Sequence, residues 1–173
     1  KGIVPAEYGG DGLGGAINIV TREDECDLVG FTQELASFGT SKTLTSAQKL
    51  FAKSGILFNV AFFKNKSKNN YTMSWPVFET NLPVSEYRKV RRNNDYYDAD
   101  FYHVGIGFRK LYFDKLDLEC AFYRNKKGIQ SLNFDSQHAY MKGFNIMPTL
   151  HIEKDDFIFK GLEMKSSLVI PII

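Results

Sequence analysis

Side chains able to bind or react gather in two places along this 173-residue chain. The first is the string Gly-Gly-Asp-Gly-Leu-Gly-Gly at 9–15, which contains the spacing G-x-G-x-x-G as Gly10, Gly12 and Gly15. Such glycines cradle a diphosphate when they follow a strand and open a helix. Here they precede Ala16-Ile17-Asn18-Ile19-Val20, whose Ile and Val favour a strand. That is loop then strand, the reverse order, and no Gly-Lys-Ser/Thr accompanies it, so the residues themselves give a glycine-rich turn rather than a nucleotide site. The second place is the segment 65–100, rich in Lys, Arg and aromatic rings. There Trp75, Arg88, Arg91, Arg92, Tyr96 and Tyr97 are candidate contacts for an anionic or aromatic ligand, through charge-assisted hydrogen bonds and stacking.

Other reactive types are scattered. Asp95, Asp98 and Asp100 offer oxygen ligands suited to calcium, but they lack the Asp-x-Asn/Asp-x-Asn/Asp-Gly loop pattern. His103, His138 and His151 have no metal-ligand spacing. Cys26 and Cys120 fall in expected strands, and two cysteines make neither a disulfide scaffold nor a four-Cys zinc site. No Ser-His-Asp, Cys-His or nucleophile-elbow pattern stands out, so no enzyme, cofactor or metal is expected. A net charge of +2 from 22 basic and 20 acidic residues argues against a nucleic-acid binder. No apolar run approaches the ~20 residues of a membrane helix, which leaves alternating barrel strands open.

What would position these residues is a set of strands with period-2 alternation. Residues 101–109 put Tyr102, Val104, Ile106 and Phe108 on one face, with His103, Gly105, Gly107 and Arg109 on the other. Residues 116–124 put Leu116, Leu118, Cys120 and Phe122 opposite Asp117, Glu119, Ala121 and Tyr123. Residues 56–64 put Ile56, Phe58, Val60 and Phe62 opposite Leu57, Asn59, Ala61 and Phe63. Weaker strands are expected at 27–38 (Val29, Phe31, Leu35), at 143–153 (Phe144, Ile146, Leu150, Ile152) and near the C-terminus. Pro148 within 143–153 predicts a bulge or an edge. Residues 43–51 are ambiguous and compatible with a helix. Connections are expected to be short at 52–55, 111–115 and 154–156 and long at 65–100 and 125–142, the alternation of a membrane barrel. On that expectation Ile106→Lys is costly and Gly107→Lys mild.

The string from Lys1 to Glu23 resembles the end of the plug domain of TonB-dependent outer-membrane receptors. That family's pattern is a Lys/Arg-Gly pair, a small stretch, Tyr-Gly, a few residues, then Gly-Gly-x-Ile-Asn-Ile-x-Thr. Gly2, Tyr8, Gly9, Gly14, Gly15, Ile17, Asn18, Ile19 and Thr21 match it. Arg91-Arg92-Asn93-Asn94-Asp95 is similar to receptors of this family from Bacteroidetes. The resemblance implies an all-β chain that is a fragment of a 22-stranded antiparallel transmembrane barrel. Residues 1–24 would be the C-terminal end of the plug and 25–173 the first barrel strands. A start at Lys1, without Met or a signal segment, fits a piece of a longer protein.

The implied function is active uptake, across the bacterial outer membrane, of a scarce nutrient such as a ferric siderophore, cobalamin or glycan. The implied partners are the TonB–ExbB–ExbD energy transducer, contacted through a segment upstream of this chain, together with the nutrient and outer-membrane lipid. The alternatives are an outer-membrane barrel that binds or senses a ligand without import and, more distantly, a soluble β-rich binding domain. In the membrane setting, the favoured role of the basic 65–100 segment is a solvated loop facing lipopolysaccharide, whose phosphates attract Lys and Arg.

Overall fold

The computed structural model of the protein describes residues 26–76, 86–109, 111–130 and 138–172. The plug-like motif at 1–24 lies outside the described residues, as does Phe78. Among the described residues every regular element is a strand. Seven form one antiparallel sheet in the order β1-β2-β3-β6-β7-β8-β9 and two form a separate hairpin, β4-β5. The strands are β1 (Leu28–Ala36), β2 (Thr40–Phe51), β3 (Ile56–Ser67), β4 (Thr72–Pro76), β5 (Tyr87–Arg91), β6 (Tyr97–Phe108), β7 (Lys115–Gly128), β8 (Tyr140–Lys154) and β9 (Met164–Val169). β4-β5 is inserted between two neighbours of the large sheet, β3 and β6, and projects from the end where they meet it.

The register brings the apolar rows of separate strands onto one face. Phe62, Tyr102, Phe122 and Ile146 stand in line across β3, β6, β7 and β8. Val60, Val104, Cys120 and Pro148 form the next line, and Phe58, Ile106, Leu118 and Leu150 the one below, with Leu168 of β9 extending it. Ring contacts knit the top line, at 5.0 Å between Phe62 and Tyr102 and 6.0 Å between Tyr102 and Phe122. Because side chains alternate with period 2, the opposite face collects Asn59, His103, Glu119, Asp117, His151 and Glu153. The faces expected for β3, β6 and β7 are those observed.

The sheet has almost no interior. Among the described residues only Leu57 and Ala99 are buried apolar residues, and Ser67, Asp95 and Asp100 are the buried polar ones. Val104, central on the apolar face, is 54% exposed. A sheet in water normally covers its apolar side with a second layer. Nothing among the described residues covers this one, and β1 and β9 each pair on one side only. The sheet is open, and it does not by itself close a barrel.

Several sequence expectations need correction. Residues 43–51 are strand β2, not helix: Thr, Ser and Ala alternate there between two strands that supply a complete ladder on both sides. The segment 65–100 is not one long loop. β3 runs on to Ser67, β6 begins at Tyr97 and a hairpin occupies the middle. Likewise β7 and β8 extend to Gly128 and Tyr140, which shortens the connection expected at 125–142. Pro148 makes neither a bulge nor an edge. The β7–β8 register passes through Cys120↔Pro148 unbroken. Its missing N–H falls on the β9 side, where its carbonyl still accepts the Ile170 N–H at 3.1 Å and the next bridge is Ile146↔Ile172. The turn at Ser37–Gly39 is tight although it lies at the end that carries the long connections. Phe38 and Gly39 both adopt positive φ, 60° and 67°, and the Phe38 ring packs against Tyr71 at 5.5 Å.

At the opposite end of the sheet, Asp114 joins two turns. Its carboxylate accepts the Asp155 backbone N–H at 2.7 Å and the Lys154 ammonium at 3.1 Å. Those donors, the backbone N–H first, hold its pKa below the ordinary carboxylate range. Asp27, ahead of β1, is held low in the same way by the Lys49 ammonium and then by the Leu50 N–H. A carboxyl whose pKa is depressed by folding stabilises the fold above its unfolded pKa and ceases to as the pH falls through the folded value. Asp114→Asn is therefore expected to lower stability at neutral pH, with the deficit vanishing in strong acid. Urea titrations of both proteins across a pH series check this.

Candidate functional site

Two regions gather the charged and hydrogen-bonding groups: the polar face of the sheet and the end that carries β4-β5. On the polar face a ladder runs across β6 to β9. Arg109 meets Asp117 at 2.5 Å, and Lys115 stands 3.9 Å from both Asp117 and Glu153. His151 lies between Glu153, at 2.7 Å from Nε2, and Ser167, at 3.1 Å from Nδ1. His103 Nε2 is 3.5 Å from Glu119. Gly107 sits within this ladder for a steric reason. A Cβ there would overlap the Asp117 carboxylate and come within 2.8 Å of the Arg109 guanidinium. Both are ends of flexible side chains, so a side chain at 107 requires the Asp117 and Arg109 groups to shift aside.

The Ser167–His151–Glu153 contact was not legible from spacing, since it needs the β8–β9 register that sets His151 opposite Ser167. All three lie open on the polar face, with Ser167 exposed, rather than in a cavity. They form a hydrogen-bonded ladder, not an enclosed nucleophile–base pair. Asn59 and Asn145, also on this face, each bury a side-chain oxygen that has no hydrogen-bond partner.

At the hairpin end the six candidate ligand contacts separate into three groups. Trp75 and Arg88 are directly opposed across β4 and β5, and Arg91 donates from Nε to the Asn70 carbonyl at 3.2 Å. These three ride on the hairpin. Arg92 is spent on structure. It bonds Asp95 at 2.8 Å, donates to the Tyr71 hydroxyl at 2.5 Å and to Gln130 at 3.3 Å, and stacks over the Tyr71 ring at 5.1 Å. With Asn94, whose side-chain N–H group donates to the carbonyls of Ile129 and Ala139, it ties the hairpin to the β7–β8 connection. Tyr97 turns to the polar face and shares a 2.9 Å hydroxyl contact with Tyr123. Tyr96 turns the other way, beneath the Lys126 ammonium at 5.4 Å.

The three aspartates do not converge. Asp95 pairs with Arg92, whereas Asp98 and Asp100 share Lys64 at 3.2 and 2.8 Å. Asp100 also accepts from Arg124 Nε at 2.7 Å. Among the described residues no three His, Cys, Asp or Glu side chains are grouped to hold a metal. His138 is exposed, and Cys26 and Cys120 are free thiols.

Spacing also missed the Lys64–Asp98–Asp100–Arg124 quartet. Its signal is positional. These four keep the face of Phe62, Tyr102 and Phe122 and follow directly where the apolar rows stop. The apolar face thus ends in a charged rim on the hairpin side. No family model matches the chain, and no curated protein or solved structure matches it.

Proposed function

We propose that the chain is part of an outer-membrane β-barrel receptor that takes up a scarce nutrient with energy delivered by TonB, and that it performs no bond-making chemistry. The observation that supports this most is the two-sidedness of the sheet. Four adjacent strands line up an uncovered apolar band on one side and an ion-paired, histidine-bearing ladder on the other. In a bilayer the band faces acyl chains and the ladder a wet lumen. The lengths suit this: β2, β3 and β6 have 12 residues each, above the ~9–11 that a tilted strand needs to cross. Unpaired strand edges cannot stand in hydrocarbon, so β1 and β9 require further strands on either side. A 22-stranded closure around a plug ending near residue 24 is the arrangement that the Lys1–Glu23 resemblance implies.

The hairpin β4-β5 then stands at the outer mouth, with Trp75, Arg88 and Arg91 presented to arriving ligand and Arg92 bracing it. The nutrient is of the ferric siderophore, cobalamin or glycan class. The test is growth of a strain lacking the gene, and of one lacking TonB, on a panel of those nutrients, each supplied as the limiting source. The expected result is loss of growth on one class, identical in both strains. Growth that survives loss of TonB, with ligand binding intact, would assign a barrel that binds without import. A protein recovered in the aqueous fraction of cells without detergent would overturn the membrane reading altogether.

A further inference from the structure

We propose that the charged rim above the apolar band seats the phosphate of an anionic lipid from the outer leaflet, with Lys126 and Lys142 as its ligands. This rests on the membrane orientation proposed above. A groove of about 450 Å³ opens there between β6, β7 and β8, lined by Phe122 and Phe144, by Arg124, Lys126 and Lys142, and by Asp98 and Asp100.

Charge bookkeeping picks out two of these cations. Asp98 and Asp100 are matched by Lys64 and Arg124. That leaves Lys126 and Lys142, neither of which forms an ion pair among the described residues, although Asp98, bound to Lys64, stands directly opposite Lys126 on β6. The two lysines are directly opposite one another on β7 and β8. Like charges so placed destabilise a sheet. Here they are held beside the Tyr140 ring, at 4.6 and 5.0 Å, and Lys126 also lies over Tyr96 at 5.4 Å. Opposed residues on neighbouring strands are about 5 Å apart at Cβ, so one phosphate can reach both ammonium groups and offset their repulsion.

The floor identifies the source of the phosphate. A free anion has no use for Phe144, which is 53% exposed, whereas an acyl chain running down from the headgroup would lie along Phe122, Ile146 and Leu150. The depth agrees. Lys126 is four residues beyond Phe122 on the same face, about 13 Å along the strand and about 10 Å along the membrane normal at the usual tilt. That is headgroup level above the last ring of the band.

The test uses the full-length protein in detergent and three probes: a fluorescent bisphosphorylated glycolipid, the same lipid with its phosphates removed, and inorganic phosphate as competitor. The wild type is expected to prefer the phosphorylated lipid. Lys126→Gln/Lys142→Gln is expected to bind it ~30-fold more weakly and each single variant ~5-fold more weakly, following the usual contribution of a basic residue near an anionic surface. Lys127→Gln, on the polar face of the same strand, should leave binding unchanged. The double variant removes a like-charge pair and should fold; if it does not, the single variants carry the comparison. Equal affinity in wild type and variants, or displacement of the lipid by inorganic phosphate as readily as by unlabelled lipid, overturns the seat. Insertion into vesicles is scored separately. A protein that inserts but shows no lipid preference rejects the seat alone, and one that never inserts rejects the membrane orientation beneath it.

Discussion

Ile106→Lys is expected, in the membrane orientation proposed above, to destabilise the protein by ~2–4 kcal/mol, the cost of a lysine near the bilayer midplane on the lipid side of a barrel. Ile106 stands in the line Phe58–Ile106–Leu118–Leu150, one line from the centre of the uncovered band. The effect depends on the medium. A partly exposed isoleucine on a sheet in water could be exchanged for lysine within about 0.5 kcal/mol, because the ammonium would be solvated. Urea titration of the full-length protein folded into phospholipid vesicles gives the number. The matched control is Ala121→Lys on the polar face, between His103 and Met147, where an added ammonium meets water and the loss should stay below about 1 kcal/mol. Gly107→Lys is a less clean control, since the Asp117 and Arg109 side chains would have to shift to admit it. Equal losses for Ile106→Lys and Ala121→Lys would remove the assignment of faces, and with it the membrane.

Asp100→Ala is expected to cost about 1–3 kcal/mol, the usual penalty for stripping a partner from buried hydrogen-bonding groups. Asp100 is 3% exposed and accepts from Lys64 at 2.8 Å and Arg124 at 2.7 Å. Its removal leaves two cations, on the strands that flank β6, with only Asp98 between them. The cost stays below that of a fully enclosed ion pair because the Lys64 and Arg124 side chains are 38% and 60% exposed. Asp98→Ala, whose carboxylate is more open and meets Lys64 alone at 3.2 Å, should cost less. An Asp100→Ala protein as stable as the wild type in chemical denaturation would show that the quartet is an ornament of the rim rather than a clasp across β3, β6 and β7.

The strand faces could be read from the chain wherever one row was apolar and its neighbours were not. Residues 101–109 and 116–124 meet that condition, and their side-chain orientations follow. Hydrophobic alternation fell silent where strands continue in charge. β3 goes on through Lys64-Asn65-Lys66-Ser67 and β6 begins with Tyr97-Asp98-Ala99-Asp100. Those ends are paired by the register that sets Lys64 opposite Asp100, which no periodicity in either strand alone reveals. β2 was ambiguous because Thr, Ser and Ala carry little contrast between faces, and only its two neighbours decide it. Among the candidate ligand residues, composition marked Arg92 and Trp75 alike. What separates them is that Asp95, three residues from Arg92, and Tyr71 across the hairpin fold the guanidinium inward. The paired lysines of the rim lie sixteen positions apart in the chain and become neighbours only through the β7–β8 ladder.

The half-paired outermost strands carry a consequence for biogenesis. β1 and β9 each offer a row of amide and carbonyl groups to any extended segment that comes by, and beside them lies an oily band with nothing over it. A chain in this condition is open to pairing with copies of itself along both edges, a route to stacked fibrillar aggregates. On the membrane reading proposed above, the band and the two open edges must stay masked until further strands pair with them. Expressed by itself, the segment is expected to aggregate through its open flanks before its turns or ion pairs are tested.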